Sequence, residues 1–360
     1  MKKIYSVFTG TGSYVPTKKV KNEAFLKNVF LDSSGEHIAT PNDQIVQKFE
    51  EITTISERCY AEDDQATSDL ALIAAQRAIE SAGIDAEELD YIIFAHNFGE
   101  TYPDNIRIDV LPTMASRVKQ KLGIANPDAV AYDLLFGCPG WIQAVIQADY
   151  YIRSGDAKKV LVIGADVLSR ISDPHDRDSM IYADGAGAVV MEGRESESPV
   201  GVIGHNSRSD SLDYSQMLRM GYSYNPELAA KKEYYLKMNG RRLYQYALEN
   251  VPKAIKAGLD KLNLHISHVK KLLIHQANGK MDDAILRRLF KLYGVNEVPE
   301  EIMPMTISWL GNSSVATVPT LLDLIVREEM PTHDLGAGDT IVLASVGAGM
   351  NINSIVYRFP

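Results

Sequence analysis

The chain has 360 residues, with 45% hydrophobic and 23% charged residues, and its 47 acidic against 37 basic side chains give a net charge of −10. That mix excludes a disordered or fibrous chain, and the acidic balance argues against nucleic acid as the main partner, because a phosphate backbone needs a basic face. Only two cysteines, Cys59 and Cys138, are present, so a disulfide framework is excluded, and no run of about 18 apolar residues offers a membrane span.

The first apolar stretch, Ile4 to Phe8, is too short for a signal peptide and reads as a first strand. Gly10-Thr11-Gly12 lacks a third glycine at Val15, so it is read as a turn and not as a dinucleotide loop. Residues 26–56, with the loop signal Asp32-Ser33-Ser34-Gly35-Glu36, suggest an inserted cap. Ser68 to Ala82 has helical spacing and ends at Gly83, and Leu89 to Asn97 reads as a buried strand. Tyr132 to Cys138 leads into an apolar helix over 139–152, followed by the apolar strand Lys159 to Asp166.

The second half repeats this order. Residues 205–237, rich in Tyr and Met, are read as a second inserted cap. A helix from Leu243 to Ala257, ending at Gly258, precedes the strand Val269 to Asn278. Ser308 to Asn312 leads into an apolar helix over 313–326, and Asp339 to Gly347 is the closing strand. Continuous apolar strands are covered on both faces, and helices apolar nearly all round lie between layers. The expectation is therefore two similar α/β halves, 1–195 and 196–360, stacked with helices at the centre.

Cys138 stands where a buried strand turns into a helix, with Pro139 at a first helical position. A helix N-terminus favours thiolate, which points to a nucleophile; a buried structural thiol is the competing reading. Cys59, in a polar stretch, is read as structural. His275 ends a buried strand beside Gln276 and Asn278, and Asn312 sits at a strand–helix turn in the equivalent place to Cys138. Gly347-Ala348-Gly349, after the last strand, falls at the same edge and can supply a backbone N–H. His96 is the repeat counterpart of His275. No Cys or His cluster has metal-ligand spacing, and no cofactor is expected.

These segments resemble the ketoacyl-acyl-carrier-protein synthase III family, a group of thiolase-fold condensing enzymes. The likeness is carried by Gly10-Thr11-Gly12-Ser13-Tyr14-Val15-Pro16, Cys138-Pro139-Gly140, Gly164 to Arg170, Asp184-Gly185-Ala186-Gly187-Ala188, His275-Gln276-Ala277-Asn278 and Gly311 to Pro319. The resemblance implies a five-layer α-β-α-β-α body in which Cys138 accepts an acyl group from a thioester. It implies that His275 and Asn312 stabilise the enolate formed when a malonyl thioester decarboxylates, and that the N–H groups of Cys138 and Ala348 form an oxyanion hole. Leu111 stands where the family closes its acyl pocket across a homodimer. Arg177 matches an arginine of the coenzyme A entrance, with Gly347 and Gly349 lining the substrate site. The family's entrance Trp is missing from Asp43–Phe49, so an acyl-carrier-protein donor is an open alternative to coenzyme A. Lys280, Arg241 and Arg242 are candidates for docking an acidic carrier protein. The resemblance further implies an enzyme of fatty acid, polyketide or specialised lipid synthesis, and the two cysteines fit a reducing cytosol. A non-decarboxylating acyltransferase and a non-catalytic acyl-binding subunit are the alternatives.

Overall fold

The computed structural model describes residues 2–103 and 105–360. Strands β1 (Lys3–Tyr14), β2 (Tyr91–Ala95), β3 (Val130–Leu134), β4 (Lys159–Val167) and β5 (Asp184–Ser196) form one sheet in the order β1-β5-β4-β2-β3. Strands β6 (Gly201–Ser209), β7 (Lys271–Ile274), β8 (Thr340–Gly347) and β9 (Asn351–Arg358) form the other, in the order β6-β9-β8-β7. Directions match between the sheets: β1–β5 and β5–β4 are antiparallel and β4–β2 parallel, while β6–β9 and β9–β8 are antiparallel and β8–β7 parallel. Among the described residues, only the first sheet carries a further strand, β3, at its edge.

The long helices are α1 (Asn42–Thr53), α2 (Thr67–Ala82), α3 (Gly140–Ser154), α4 (Gly240–Asp260), α5 (Gly279–Lys291) and α6 (Thr317–Val326). Alternation along the strands sorts side chains between layers. Val160 and Val162 of β4 pack with Ile142, Val145, Leu321 and Leu322 of α3 and α6, and so do Ile341 and Leu343 of β8 from the other sheet. The opposite faces bury Leu161 and Ile163 against α2, and Val342 and Ala344 against α4 and α5. The result is a five-layer α-β-α-β-α body with α3 and α6 in the middle, a thiolase fold.

Several local expectations are corrected. Gly10-Thr11-Gly12 is not a turn but the middle of β1; a Cβ on Gly10 or Gly12 would lie 2.2 Å from Ala78 O or 2.4 Å from Ala74 O of α2. The glycines are therefore there for close helix–strand approach. Residues 205–209 are not insert but the end of β6, paired with β9. The remainder of that segment forms a hairpin, Leu218–Tyr222 against Tyr234–Met238. Helix α4 runs on through Gly258, which is small because a Cβ there would sit 3.1 Å from Ser354 Oγ. No strand precedes Asn312: Ile307–Leu310 is a single helical turn. The Gln276 side chain fixes this turn, its Oε1 accepting from the N–H groups of Thr306 (2.8 Å) and Ile307 (3.0 Å).

Candidate active site

Cys138 lies between β3 and α3 on a tight turn closed by the Gly140 N–H donating to Gly137 O (2.9 Å). Gly137 has φ +68°, and a Cβ on it would be 2.6 Å from Ala348 N. A Cβ on Gly347 would in turn be 2.5 Å from Cys138 N. The ends of β3 and β8, one from each half, are thus pressed together backbone to backbone. Only glycine permits both the left-handed dihedral and the contact.

His275 follows directly on β7, and Asn312 precedes α6. The Asn312 Oδ1 accepts from Ser314 N–H (2.9 Å), which fixes the amide orientation and leaves Nδ2 as the donating end. Cys138, His275, Asn312, Gly347 and Ala348 all line one cavity of about 1290 Å³. It is bounded further out by Phe49 of α1, by Arg177, and by Leu218, Met220 and Met238 of the hairpin. Both segments read as caps therefore do border the cavity beside the cysteine.

Burial governs the electrostatics. It pushes the Cys138 thiol up to about 11, against a hydrogen bond donated by Ser314 Oγ (3.3 Å) that favours the thiolate. Desolvation of the charged sulfur thus opposes the preference for thiolate expected at a helix N-terminus. Burial also holds His275 down to about 4, with a smaller opposing contribution from the Ser314 backbone. Its imidazole is thus neutral near pH 7, and its Nδ1 finds no hydrogen-bond partner among the described residues. Asn278, by contrast, is explained locally, capping α5 through an Oδ1 that accepts from Met281 N–H (3.0 Å). His96 is no second copy of His275: its Nε2 meets Asp133 Oδ2 at 2.9 Å and its Nδ1 accepts from Gly99 N–H, so both ring nitrogens are used. Cys59 is buried against the backbone, away from the cavity.

Of the other expected residues, Arg177 and Arg241 border the cavity, whereas Gly349, Arg242, Lys280 and Leu111 do not line it. The Arg242 guanidinium lies instead over the Tyr214 ring. Leu111 is 82% exposed on this chain. Four residues around the thiol were not anticipated. Ser314 touches the sulfur, and Asn97 links Ser314 to Asp166. Tyr182 lines the cavity with a buried hydroxyl that has no partner among the described residues. The signal for Asn97 and Asp166 was their position, each at the C-terminal end of a buried strand.

Five layers, with a thiol heading a helix of the central one, define a thiolase-fold condensing enzyme, which works by acyl transfer. Sequence profiles narrow the class. Residues 132–211 match 3-oxoacyl-(acyl-carrier-protein) synthase III, and residues 259–359 match the C-terminal part of the same family. The chain belongs to the 3-oxoacyl-(acyl-carrier-protein) synthase III family. Its structure is similar to the synthase III of Pseudomonas aeruginosa PAO1, with a TM-score of 0.80 and 26% identity over 99% of this chain and 98% of that one. The enzyme of Thermus thermophilus gives a TM-score of 0.79 and 28% identity over 98% and 99%. That of Aquifex aeolicus VF5 gives 0.77 and 27% over the whole of both chains. Among the described residues no helix is long and apolar enough to cross a membrane.

Proposed function

We propose that the protein is a ketosynthase that primes Cys138 with an acyl group and condenses it with a malonyl thioester. The observation that carries the reading is the convergence of Cys138, His275 and Asn312 on one cavity, with the Gly347–Ala348 backbone pressed on the nucleophile turn.

In the first half-reaction the Cys138 sulfur attacks the carbonyl carbon of an acyl thioester. The new S–C bond forms as the carrier's C–S bond breaks, and the thiol proton leaves with the carrier thiolate. The N–H groups of Cys138 and Ala348 take the developing oxyanion. In the second, the malonyl C–COO⁻ bond breaks, carbon dioxide leaves, and the electron pair becomes an enolate. Neutral His275 and the Asn312 amide donate to its oxygen; a decarboxylation needs such donors and not a strong base. The enolate carbon then attacks the acyl-cysteine, the C–S bond breaks, Cys138 leaves as the thiolate and takes a proton from solvent, and the 3-oxoacyl thioester departs.

Arg177 and Arg241 at the cavity border suit a phosphate on the pantetheine arm, which coenzyme A and acyl carrier protein share. Arg242 and Lys280, outside the cavity, suit the acidic surface of a carrier protein. Exposed Leu111 suits burial by a second copy in a homodimer, reaching that copy's acyl pocket, with Gly349 supporting the substrate turn. The reading needs no metal or cofactor and places the enzyme in the cytosol, in fatty acid or specialised lipid synthesis.

The test is carbon dioxide release from a carboxyl-labelled malonyl thioester in the presence of an acyl thioester. Release matched by 3-oxoacyl product supports condensation. Acyl transfer to an acceptor without release would replace it by a non-decarboxylating acyltransferase.

A further inference from the structure

We propose that Asp166, Asn97 and Ser314 form a hydrogen-bonded positioning chain that aims the Ser314 hydroxyl at the Cys138 sulfur and thereby sets its reactivity. The inference deepens the proposed function, because it rests on Cys138 being the nucleophile. Asp166, at the end of β4, accepts twice from Asn97: Oδ1 from the backbone N–H (2.9 Å) and Oδ2 from Nδ2 (2.7 Å). This two-point contact fixes the amide plane, and the second amide hydrogen of Nδ2 goes to Ser314 Oγ (3.0 Å). With one lone pair of Oγ so engaged, the hydroxyl hydrogen is presented to Cys138 Sγ at 3.3 Å.

Asp166 and Ser314 are 1% and 4% exposed, so these two members of the chain are shielded from bulk water. Ser314 also adopts φ +55°, a dihedral uncommon outside glycine that tends to persist where the surroundings impose it, often at functional sites. The chain joins the C-terminal ends of β2 and β4 in one half to the segment before α6 in the other. A polar cluster that merely ties the halves together would not need its last hydrogen on the nucleophile.

Two effects act on the sulfur in opposite senses: the Ser314 hydrogen bond favours thiolate, and the Asp166 charge disfavours it. Burial pushes the Asp166 carboxyl up to about 6, with Asn97 and His96 holding it down and Ser314, whose hydroxyl lies on the sulfur at 3.3 Å, the smallest contribution. Of the remaining groups around the thiol, burial keeps His275 neutral and Tyr182 protonated near pH 7.

The experiment is the pH profile of Cys138 alkylation by iodoacetamide in the full-length protein, read by mass spectrometry on the Cys138 peptide. Loss of a hydrogen bond to a charged sulfur slows alkylation at pH 8 about tenfold in Ser314→Ala and moves the inflection to higher pH. Ser314→Gly suits the positive φ better, yet lacks the hydroxyl and shifts equally. Asn97→Ala shifts in the same direction, and Ser314→Ala combined with Asn97→Ala is no slower than Ser314→Ala alone, because Asn97 acts through Ser314. Should Asn97→Ala fail to fold, the two Ser314 variants still decide.

A Ser314→Ala profile that superimposes on wild type overturns the proposal, as does a shift in Ser314→Ala that Ser314→Gly does not share. Multiplicative loss in the double variant overturns the role of Asn97. Failure of the function itself would look different: wild-type Cys138 would alkylate normally yet never acquire an acyl group from a thioester.

Discussion

Gly137→Ala tests the junction that holds the nucleophile. At φ +68° an alanine pays about 1–2 kcal/mol for the left-handed conformation alone. Its Cβ would lie 2.6 Å from Ala348 N, whereas ordinary contact begins at 3.4 Å, so the two backbones must separate by about 0.8 Å. The neighbours in the way are backbone atoms, which cannot swing aside as a side-chain tip can. That separation moves the Ala348 N–H away from the Cys138 turn, and a misplacement near 1 Å costs on the order of 10²-fold in rate. The expected variant is folded, less stable by at least the conformational cost, and acylates Cys138 about 10²-fold more slowly. Rapid quench of wild type and variant with an acyl thioester, followed by intact-mass analysis, gives both rates. A Gly137→Ala enzyme that acylates at the wild-type rate would refute the role assigned to this contact.

Three further outcomes follow from particular residues. His275, held at about 4 against an ordinary 6.5, remains neutral as the pH falls from 8 to 5. The unfolded chain takes up that proton first, so this group's contribution to stability is complete above about pH 6.5 and is lost as the pH falls toward 4. NMR of ring-labelled protein should show no His275 titration between pH 8 and 5, and a midpoint near 6.5 would contradict the burial argument. Arg58, fully buried, donates to Met180 O (3.0 Å), Val20 O (3.1 Å) and Asn22 Oδ1 (2.7 Å). Arg58→Met leaves these acceptors without their donor and should cost about 3 kcal/mol by urea unfolding, whereas a loss below 1 kcal/mol would show that the site relaxes. Leu111→Phe should shorten the preferred acyl chain in a screen across chain lengths, and an unchanged profile would remove Leu111 from the acyl pocket.

The parts of the fold legible in the sequence were those whose cause is local or periodic. Residues 160–165 and 341–344 are unbroken apolar runs, and such runs are strands covered on both faces. The glycines of β1 were misread because their reason, the backbone of α2, lies more than 60 residues away in sequence. The end of β6 was misread because His205-Asn206-Ser207-Arg208 is too polar to show a buried face, although β9 pairs with it throughout. The strand expected before Asn312 fails because the Gln276 amide, on another element, fastens that backbone into a helical turn. In the site, Cys138, His275 and Asn312 were visible as reactive or donating side chains at the ends of elements. The chain from Asp166 through Asn97 to Ser314 was not, because hydrogen bonds across 69 and 217 residues leave no spacing to read. Nor does sequence reveal that burial raises the thiol, since the depth of the cavity emerges only when both halves and both caps close around it.

The most direct measurement of the central claim follows Cys138 and carbon dioxide in one reaction. Wild-type protein is loaded with an acyl thioester, the adduct is located by peptide mass spectrometry, and a carboxyl-labelled malonyl thioester is added. The expected result is an acyl group on Cys138 that disappears as carbon dioxide and 3-oxoacyl thioester form in equal amounts, with no 3-oxoacyl thioester formed by Cys138→Ala. Condensation product from Cys138→Ala, or an adduct that malonyl thioester never discharges, would contradict it.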